Sequence, residues 1–354
     1  MTSRISKRVR AMHGYVPGEQ PTGDGVIKLN TNENPYPPSP AVTQALLDLD
    51  TNSLRRYCDP MCVQLRTAIA RLHGRSIEEV LVGNGSDEIL ALCTRAFLEQ
   101  DETTGYLDPS YSLYPVLSEI QGCRPVEIPV GTDFEWPAPA AFDVPRWERC
   151  RLFFITNPNA PAGTLYAPDA VREFAGGFAG VVVVDEAYAD FSSSNCLSLL
   201  GALDNVLISR SLSKSYALAG LRCGYALGPP DLIQALHKIK DAYNVDAITQ
   251  ALALASISDQ DTFRCNVDRI IATRTRLSDA LTARGFDVHA SQSNFLWVRP
   301  STTSAGALFE GLKQRNIYIR YFDGPRTRDF VRISIGTDEE IDALLAAIDE
   351  ISGS

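Results

Sequence analysis

Lys214 sits in the run Ser209-Arg-Ser-Leu-Ser-Lys-Ser-Tyr-Ala-Leu-Ala-Gly-Leu-Arg-Cys-Gly-Tyr225, with Ser211 and Ser213 just before it and Arg222 eight residues after it. Two hydroxyls and a fork-shaped guanidinium can hold one phosphate. The amine then lies just beyond that phosphate. Such a spacing suits Schiff-base chemistry with a phosphate-bearing aldehyde, because anchoring the phosphate fixes the carbonyl against the nitrogen. The other reading of this stretch is a surface turn with a solvated lysine and arginine.

Further groups with chemical potential recur along the chain. Gly180-Val-Val-Val-Val-Asp-Glu-Ala-Tyr188 reads as a strand buried on both faces of a parallel sheet, ending in Asp185. A buried carboxylate is costly unless paired. Asp185 therefore calls for a cation, such as a pyridinium nitrogen that it would keep protonated, unless it caps the next helix. Tyr188, three residues on, is placed to hydrogen-bond an oxygen of the same ring. In Glu79-Val-Leu-Val-Gly-Asn-Gly-Ser-Asp-Glu-Ile-Leu90 a strand passes through a glycine turn into a helix start, where free amides at Gly85, Ser86 and Asp87 favour a phosphate. Tyr111 follows a short strand, Gly105-Tyr-Leu107, and can stack on a flat ring or pack in the core. Arg332 lies inside the apolar run Phe330-Val-Arg-Ile-Ser-Ile, where a bound carboxylate is one partner for it and an exposed polar face is the alternative.

The elements that must position these groups alternate. Apolar strands interleave with helical patterns from about residue 42 to 260, which predicts a mostly parallel, right-handed α/β sheet. Helices are expected from Ser39 with Pro40 in the first turn, over Val63 to Leu72, and from Pro229 to about residue 258, followed by a long arginine-bearing helix. Beyond residue 265, short strands at Phe286-Asp-Val-His, Phe295-Leu-Trp-Val-Arg, Ile317-Tyr-Ile-Arg and around Arg332 predict a smaller α+β unit. The first 40 residues carry little regular pattern, and Lys28 to Pro40 is too rich in Pro and Asn for a helix or strand. The expected division is an arm at 1–40 that joins the small unit, a large unit at 41–262 and a small C-terminal unit at 263–354.

Composition narrows the partners. With 33 basic and 43 acidic residues, the net charge of −10 argues against nucleic acid and anionic membranes. The eight cysteines form no Cys-x-x-Cys pair and the four histidines fall at no metal-ligand spacing, so no metal is expected. No apolar run reaches signal-peptide or transmembrane length, which places the expected protein in the cytoplasm with reduced thiols.

The pattern Ser-x-Ser-Lys followed by Ala-Gly-Leu-Arg-x-Gly-Tyr resembles the pyridoxal-phosphate lysine segment of fold-type I aminotransferases, and more narrowly the histidinol-phosphate aminotransferase family. Other motifs occur in that family's order over nearly the whole chain: Tyr15-Val-Pro-Gly-Glu, Asn30-Thr-Asn-Glu-Asn-Pro35, Gly-Asn-Gly, Pro-x-Tyr-x-x-Tyr, Asp-x-x-Tyr and a final Arg-Ile-x-x-Gly-Thr. The resemblance implies a fold-type I enzyme with pyridoxal 5'-phosphate bound by Gly85, Ser86, Asp87, Ser211, Ser213 and Arg222, Tyr111 stacked on its ring, and Lys214, Asp185 and Tyr188 as the reacting and tuning groups. It implies an N-terminal segment crossing the active-site mouth, with Tyr15 and Asn32 toward the substrate and Arg320 near the substrate phosphate. It assigns the substrate carboxylate, or the equivalent end of a second substrate, to Arg332.

Tyr57 matches a tyrosine that reaches across a homodimer interface to the cofactor phosphate. The family's asparagine before the second proline of Asn157-Pro-Asn-Ala-Pro161 is Ala160 here, so Asn159 is expected to take over its contact by a small shift of the loop. Transamination between histidinol phosphate and 2-oxoglutarate is the implied activity. An aromatic amino-acid aminotransferase, a phosphothreonine-type decarboxylase and a catalytically silent binding protein are the alternatives.

Overall fold

The computed structural model describes residues 4–353. A short helix α1 (Lys7–Ala11), capped by Ser6, and a two-residue strand β1 (Ile27–Lys28) form the arm. Then come α2 (Pro40–Leu47), α3 (Val63–Leu72), β2 (Val80–Gly83), α4 (Ser86–Ala96), β3 (Thr103–Asp108), α5 (Leu113–Gln121), β4 (Val126–Pro129), β5 (Cys150–Thr156), α6 (Pro168–Gly177), β6 (Val181–Asp185), β7 (Val206–Ser211) and β8 (Gly224–Leu227). The chain continues through α7 (Pro230–Ile239), α8 (Ala247–Ser258), the long α9 (Gln260–Ala283), β9 (Asp287–Val288), β10 (Phe295–Arg299), α10 (Ala305–Lys313), β11 (Ile317–Tyr318), β12 (Arg320–Tyr321), β13 (Val331–Ser334) and α11 (Asp338–Ser352).

The large sheet has the order β2-β8-β7-β6-β5-β3-β4, parallel except for β8, which is antiparallel to both its neighbours. Alternate side chains of the central strands enter two separate cores: Phe153, Val182 and Ile208 on one face, Phe154, Val183 and Leu207 on the other. Burial of both faces explains why these strands read as continuous apolar runs. The carboxyl ends of β3, β5, β6 and β7 then lie side by side, where ligands of open α/β sheets bind. A second, antiparallel sheet, β12-β13-β10-β9, packs with α9, α10 and α11 around its own core.

Three details differ from the sequence reading. Lys28 does enter a strand, because the arm pairs parallel with β11: the Ile27 amide donates to Asn316 O at 2.9 Å and the Leu29 amide to Tyr318 O at 2.7 Å. The expected strand Ile317–Arg320 is divided, its first half serving the arm and its second half the antiparallel sheet. The helix expected from Pro229 to about 258 breaks after Ile239 and restarts at Ala247, where Asp246 accepts from the Thr249 amide. Between them Lys240 Nζ is held by Pro60 O, Asp241 O and Asn244 Oδ1, which stabilises a loop over a continuing helix.

Candidate active site

Lys214 follows β7 by three residues and is gripped from both sides. Its Nζ donates to the Thr31 carbonyl at 3.0 Å, and the Asn34 side-chain amide donates to the carbonyls of Lys214 and Ser215 at 3.0 and 3.1 Å. The arm thus holds both the amine and the backbone that carries it. From below, Ser215 Oγ donates to Asp190 Oδ2 at 2.5 Å. Asp190 in turn accepts from Arg210 Nη1 at 2.7 Å, while Arg210 Nε and Nη2 donate to Glu186 at 2.9 and 2.6 Å. Arg210 lies on the central strand β7, where its buried charge requires such partners. Burial pushes the Lys214 amine down to about 8, helped by the Arg332 charge and opposed by Glu33 and Asp87.

Asp185 ends β6 and is buried, at 3% exposure. Burial pushes its carboxyl up to about 6, although the Tyr114 hydroxyl, donating to Oδ2 at 3.0 Å, and the Ala187 amide, donating to Oδ1 at 3.2 Å, both favour the charge. A cation at this point would remove the remaining penalty. Tyr114 also meets Thr156 Oγ1 at 2.5 Å and stacks on Phe154, so its hydroxyl is fixed toward Asp185. Beside them, the Tyr188 hydroxyl accepts from Asn32 Nδ2 at 2.9 Å.

The turn from β2 into α4 faces the Lys214 loop. Gly85 has φ +79, and a Cβ there would fall 2.6 Å from Arg222 Nη2. A Cβ on Gly224 would fall 2.6 Å from the Ser86 amide nitrogen. Both glycines therefore keep the helix start and the guanidinium close together. Arg222 reaches Ser213 Oγ at 3.4 Å and Asp87 Oδ2 at 3.2 Å, and the Ser211 hydroxyl accepts the Ser213 amide at 3.2 Å. Asp87 also accepts the Tyr111 hydroxyl at 3.1 Å, which stands the ring over the cup.

On the small-sheet side, Arg320 and Arg332 are direct cross-strand neighbours of β12 and β13. Like charges in that relation repel, so the pair favours anions. Arg332 donates from Nη2 to Asn30 O at 3.1 Å, and its Nε is buried with no partner among the described residues.

One cavity of about 760 Å³ gathers nearly all of these groups. Lys214, Asp185, Tyr188, Ser86, Asp87, Tyr111, Ser211, Ser213, Arg222, Tyr15, Asn32, Arg320 and Arg332 line it, and Gly85 adjoins it through Arg222. Asn159 does not. It is buried, its Nδ2 donates to Pro109 O at 3.2 Å and its Oδ1 accepts the Ala162 amide at 3.2 Å, while Ala160 lines the cavity. The expectation that Asn159 replaces the missing asparagine is corrected: its amide is spent on the rigid loop.

Asn32 lines the cavity, yet its side chain is committed to Tyr188 and to Ser334, which meets Oδ1 at 3.0 Å. Tyr57 lies outside this chain's cavity, 83% exposed and stacked on Tyr243 at 4.4 Å. Asn34, Tyr114 and Arg326 also serve this region without standing out in the sequence pattern. The one trace of Tyr114 is its place as the second tyrosine of Pro-x-Tyr-x-x-Tyr; the other two act on backbone carbonyls.

The glycine-lined cup and the buried, cation-seeking carboxylate fit a cofactor carrying a phosphate at one end and a pyridine nitrogen at the other. With Lys214 between them, the molecule is a fold-type I pyridoxal-phosphate enzyme, and residues 24–348 match the family model described as aminotransferase class I and II. Within that class the chain belongs to the histidinol-phosphate aminotransferase family. It is 43% identical over 350 residues to histidinol-phosphate aminotransferase of Rippkaea orientalis, covering 99% of each chain. To the enzyme of that name from Rhodopirellula baltica it is 44% identical over 339 residues, covering 96% of this chain and 93% of the relative. Among solved structures, histidinol-phosphate aminotransferase from Sinorhizobium meliloti in complex with pyridoxal-5'-phosphate superposes with a TM-score of 0.89 at 26% identity, covering 100% of this chain and 98% of that one.

Proposed function

We propose that the protein transfers the amino group of histidinol phosphate to 2-oxoglutarate, as a step of histidine biosynthesis. One observation carries the reading. Arg320 and Arg332 pair across one strand ladder and line the same cavity as Lys214, giving a phosphate site and a carboxylate site within reach of one amine. Relatives of that name at 43 and 44% identity favour it over an aromatic aminotransferase or a phosphothreonine decarboxylase.

In this reading Ser86, Ser211, Ser213, Arg222 and the amides after Gly85 would hold the cofactor phosphate, with Tyr111 available to its ring and Asp185 to its nitrogen. When bound there, pyridoxal phosphate would supply an electron sink for proton removal at the substrate carbon. Lys214 Nζ, brought to about 8 by burial, exists in part as the free amine near neutral pH and takes, then returns, the migrating proton. Asn32 orients the Tyr188 hydroxyl, and Asn34 and Ser215 fix the lysine backbone so that Nζ swings without moving its loop. Tyr15 and Arg320 receive the phosphate of the amino donor, and Arg332 the carboxylate of the oxo acid.

The reading includes a cytoplasmic homodimer with the division at residues 40 and 262. Tyr57 stands outward, as a residue serving a partner's cofactor phosphate would, Leu46 and Leu47 are exposed as well, and all eight cysteines are free thiols. Sedimentation of the holoenzyme, with Tyr57→Phe weakening cofactor affinity, checks the shared site. For the activity itself, kcat/KM is compared among histidinol phosphate, phenylalanine, tyrosine and phosphothreonine. Preference for histidinol phosphate by at least about tenfold, some 1.4 kcal/mol of transition-state binding, is expected; preference for an aromatic amino acid would reject the assignment.

A further inference from the structure

Arg326 lies in the loop between β12 and β13, lines the cavity, and spends its guanidinium on the large sheet. Nη1 donates to Asp108 O at 2.9 Å, and Nη2 to Val130 O at 2.6 Å and Gly131 O at 2.9 Å. These carbonyls terminate β3 and follow β4, so one side chain fastens the small-sheet loop to the rim where the large sheet ends. Three carbonyls converging on one fork make a geometry that the compact ammonium of lysine reproduces poorly.

The grip passes along the loop to the substrate end of the cavity. Thr327 Oγ1 donates to Phe322 O at 2.9 Å and accepts the Gly324 amide at 3.2 Å, closing residues 322–327 into one turn. Phe322, at the start of that turn, lies against both anion-binding arginines: its ring centroid is 4.9 Å from Arg320 Cζ and 5.4 Å from Arg332 Cζ. The negative face of an aromatic ring lowers the cost of holding two guanidiniums as neighbours and fixes their planes.

We propose that Arg326 is a positioning residue for substrate selection: by clasping the carbonyls of Asp108, Val130 and Gly131 it seats Phe322, and Phe322 sets the Arg320–Arg332 pair at the spacing that accepts a phosphate and a carboxylate. This rests on the function proposed above for the identity of the anions. Arg326 touches none of the cofactor-holding residues in the cup, so its loss acts on substrate binding and leaves the cofactor in place.

The test uses holoenzyme with Arg326→Ala, Arg326→Lys, Phe322→Ala and the Arg326→Ala/Phe322→Ala pair. KM, kcat and the absorption of bound pyridoxal phosphate are measured with histidinol phosphate and, separately, with glutamate as donor. Expected are a KM raised roughly tenfold to a hundredfold in Arg326→Ala, as for a sub-ångström misplacement, with kcat and absorption little changed. Arg326→Lys falls between wild type and Arg326→Ala, and the double variant is no worse than Phe322→Ala. Independent, multiplying effects in the double variant overturn the proposal, as does a fall in kcat or cofactor occupancy without a rise in KM. If Arg326→Ala does not fold, the Lys variant and Phe322→Ala decide it, equal KM to wild type in both being the refuting result. Should wild-type enzyme ignore histidinol phosphate, the assigned activity fails while the clasp is still judged on glutamate.

Discussion

Replacing Asp185 by Asn should change how the cofactor-free protein responds to pH. The carboxyl is buried and raised from 3.8 to about 6, chiefly by burial. The folded state therefore binds the proton more tightly than the unfolded state between those values, and the contribution of Asp185 to stability is fully present below about 3.8 and lost as pH rises through about 6. A shift of about 2 units corresponds to roughly 3 kcal/mol. Asn cannot ionise, so it keeps what Asp loses. Denaturant unfolding of both cofactor-free proteins from pH 4 to pH 7.5 should show the variant gaining on wild type by up to about 3 kcal/mol across this interval. The half-buried His73 and His237, both lowered to about 4 chiefly by desolvation, give an opposite slope that is common to the two proteins and cancels in the difference. Any constant offset, from an Asn amide facing the Ala187 N–H, leaves the slope untouched. Adding pyridoxal phosphate at neutral pH should then stabilise wild type more than the variant, because only wild type offers the ring nitrogen a counter-charge. A stability difference independent of pH would show that Asp185 does not take up a proton in this interval.

Two more substitutions follow from the site. Lys214→Ala should bind pyridoxal phosphate only reversibly and lose turnover by at least about a thousandfold, since in the proposed mechanism one residue would supply both covalent attachment and the proton carrier; kcat and gel-filtration retention of the cofactor check this. Arg332→Ala removes a guanidinium whose Nε has no partner among the described residues, so the folded protein should lose little stability while kcat/KM for 2-oxoglutarate falls by about 30-fold, the value of a charge-assisted hydrogen bond near 2 kcal/mol.

The central strands and the groups at their ends were legible because their signals are local: a valine run closing on Asp185, a glycine turn opening α4, two serines before Lys214. What escaped depends on partners distant in sequence. The pairing of Ile27 with Ile317 joins residues at opposite ends of the chain through main-chain hydrogen bonds, which leave little trace in side-chain pattern. Asn34 and Arg326 act on backbone carbonyls of remote loops, so no complementary residue type announces them. Asn159 was placed by analogy with a missing neighbour, and the local demand of a proline-rich loop for an internal amide bridge prevailed. The break between α7 and α8 was hidden because its apolar spacing runs on through Tyr243 and Val245, while the loop is fixed by Lys240 contacts across to Pro60.

The site around Lys214 should let pyridoxal phosphate bound there take the amino group of histidinol phosphate, with the lysine released from the cofactor as it does so. Purified holoenzyme mixed with histidinol phosphate alone, with no oxo acid present, should show the near-visible absorption of bound pyridoxal phosphate replaced by the shorter-wavelength absorption of its amine form, and 2-oxoglutarate should restore it. An absorption that histidinol phosphate leaves unchanged, while phenylalanine or tyrosine converts it, would make the protein an aromatic amino-acid aminotransferase instead.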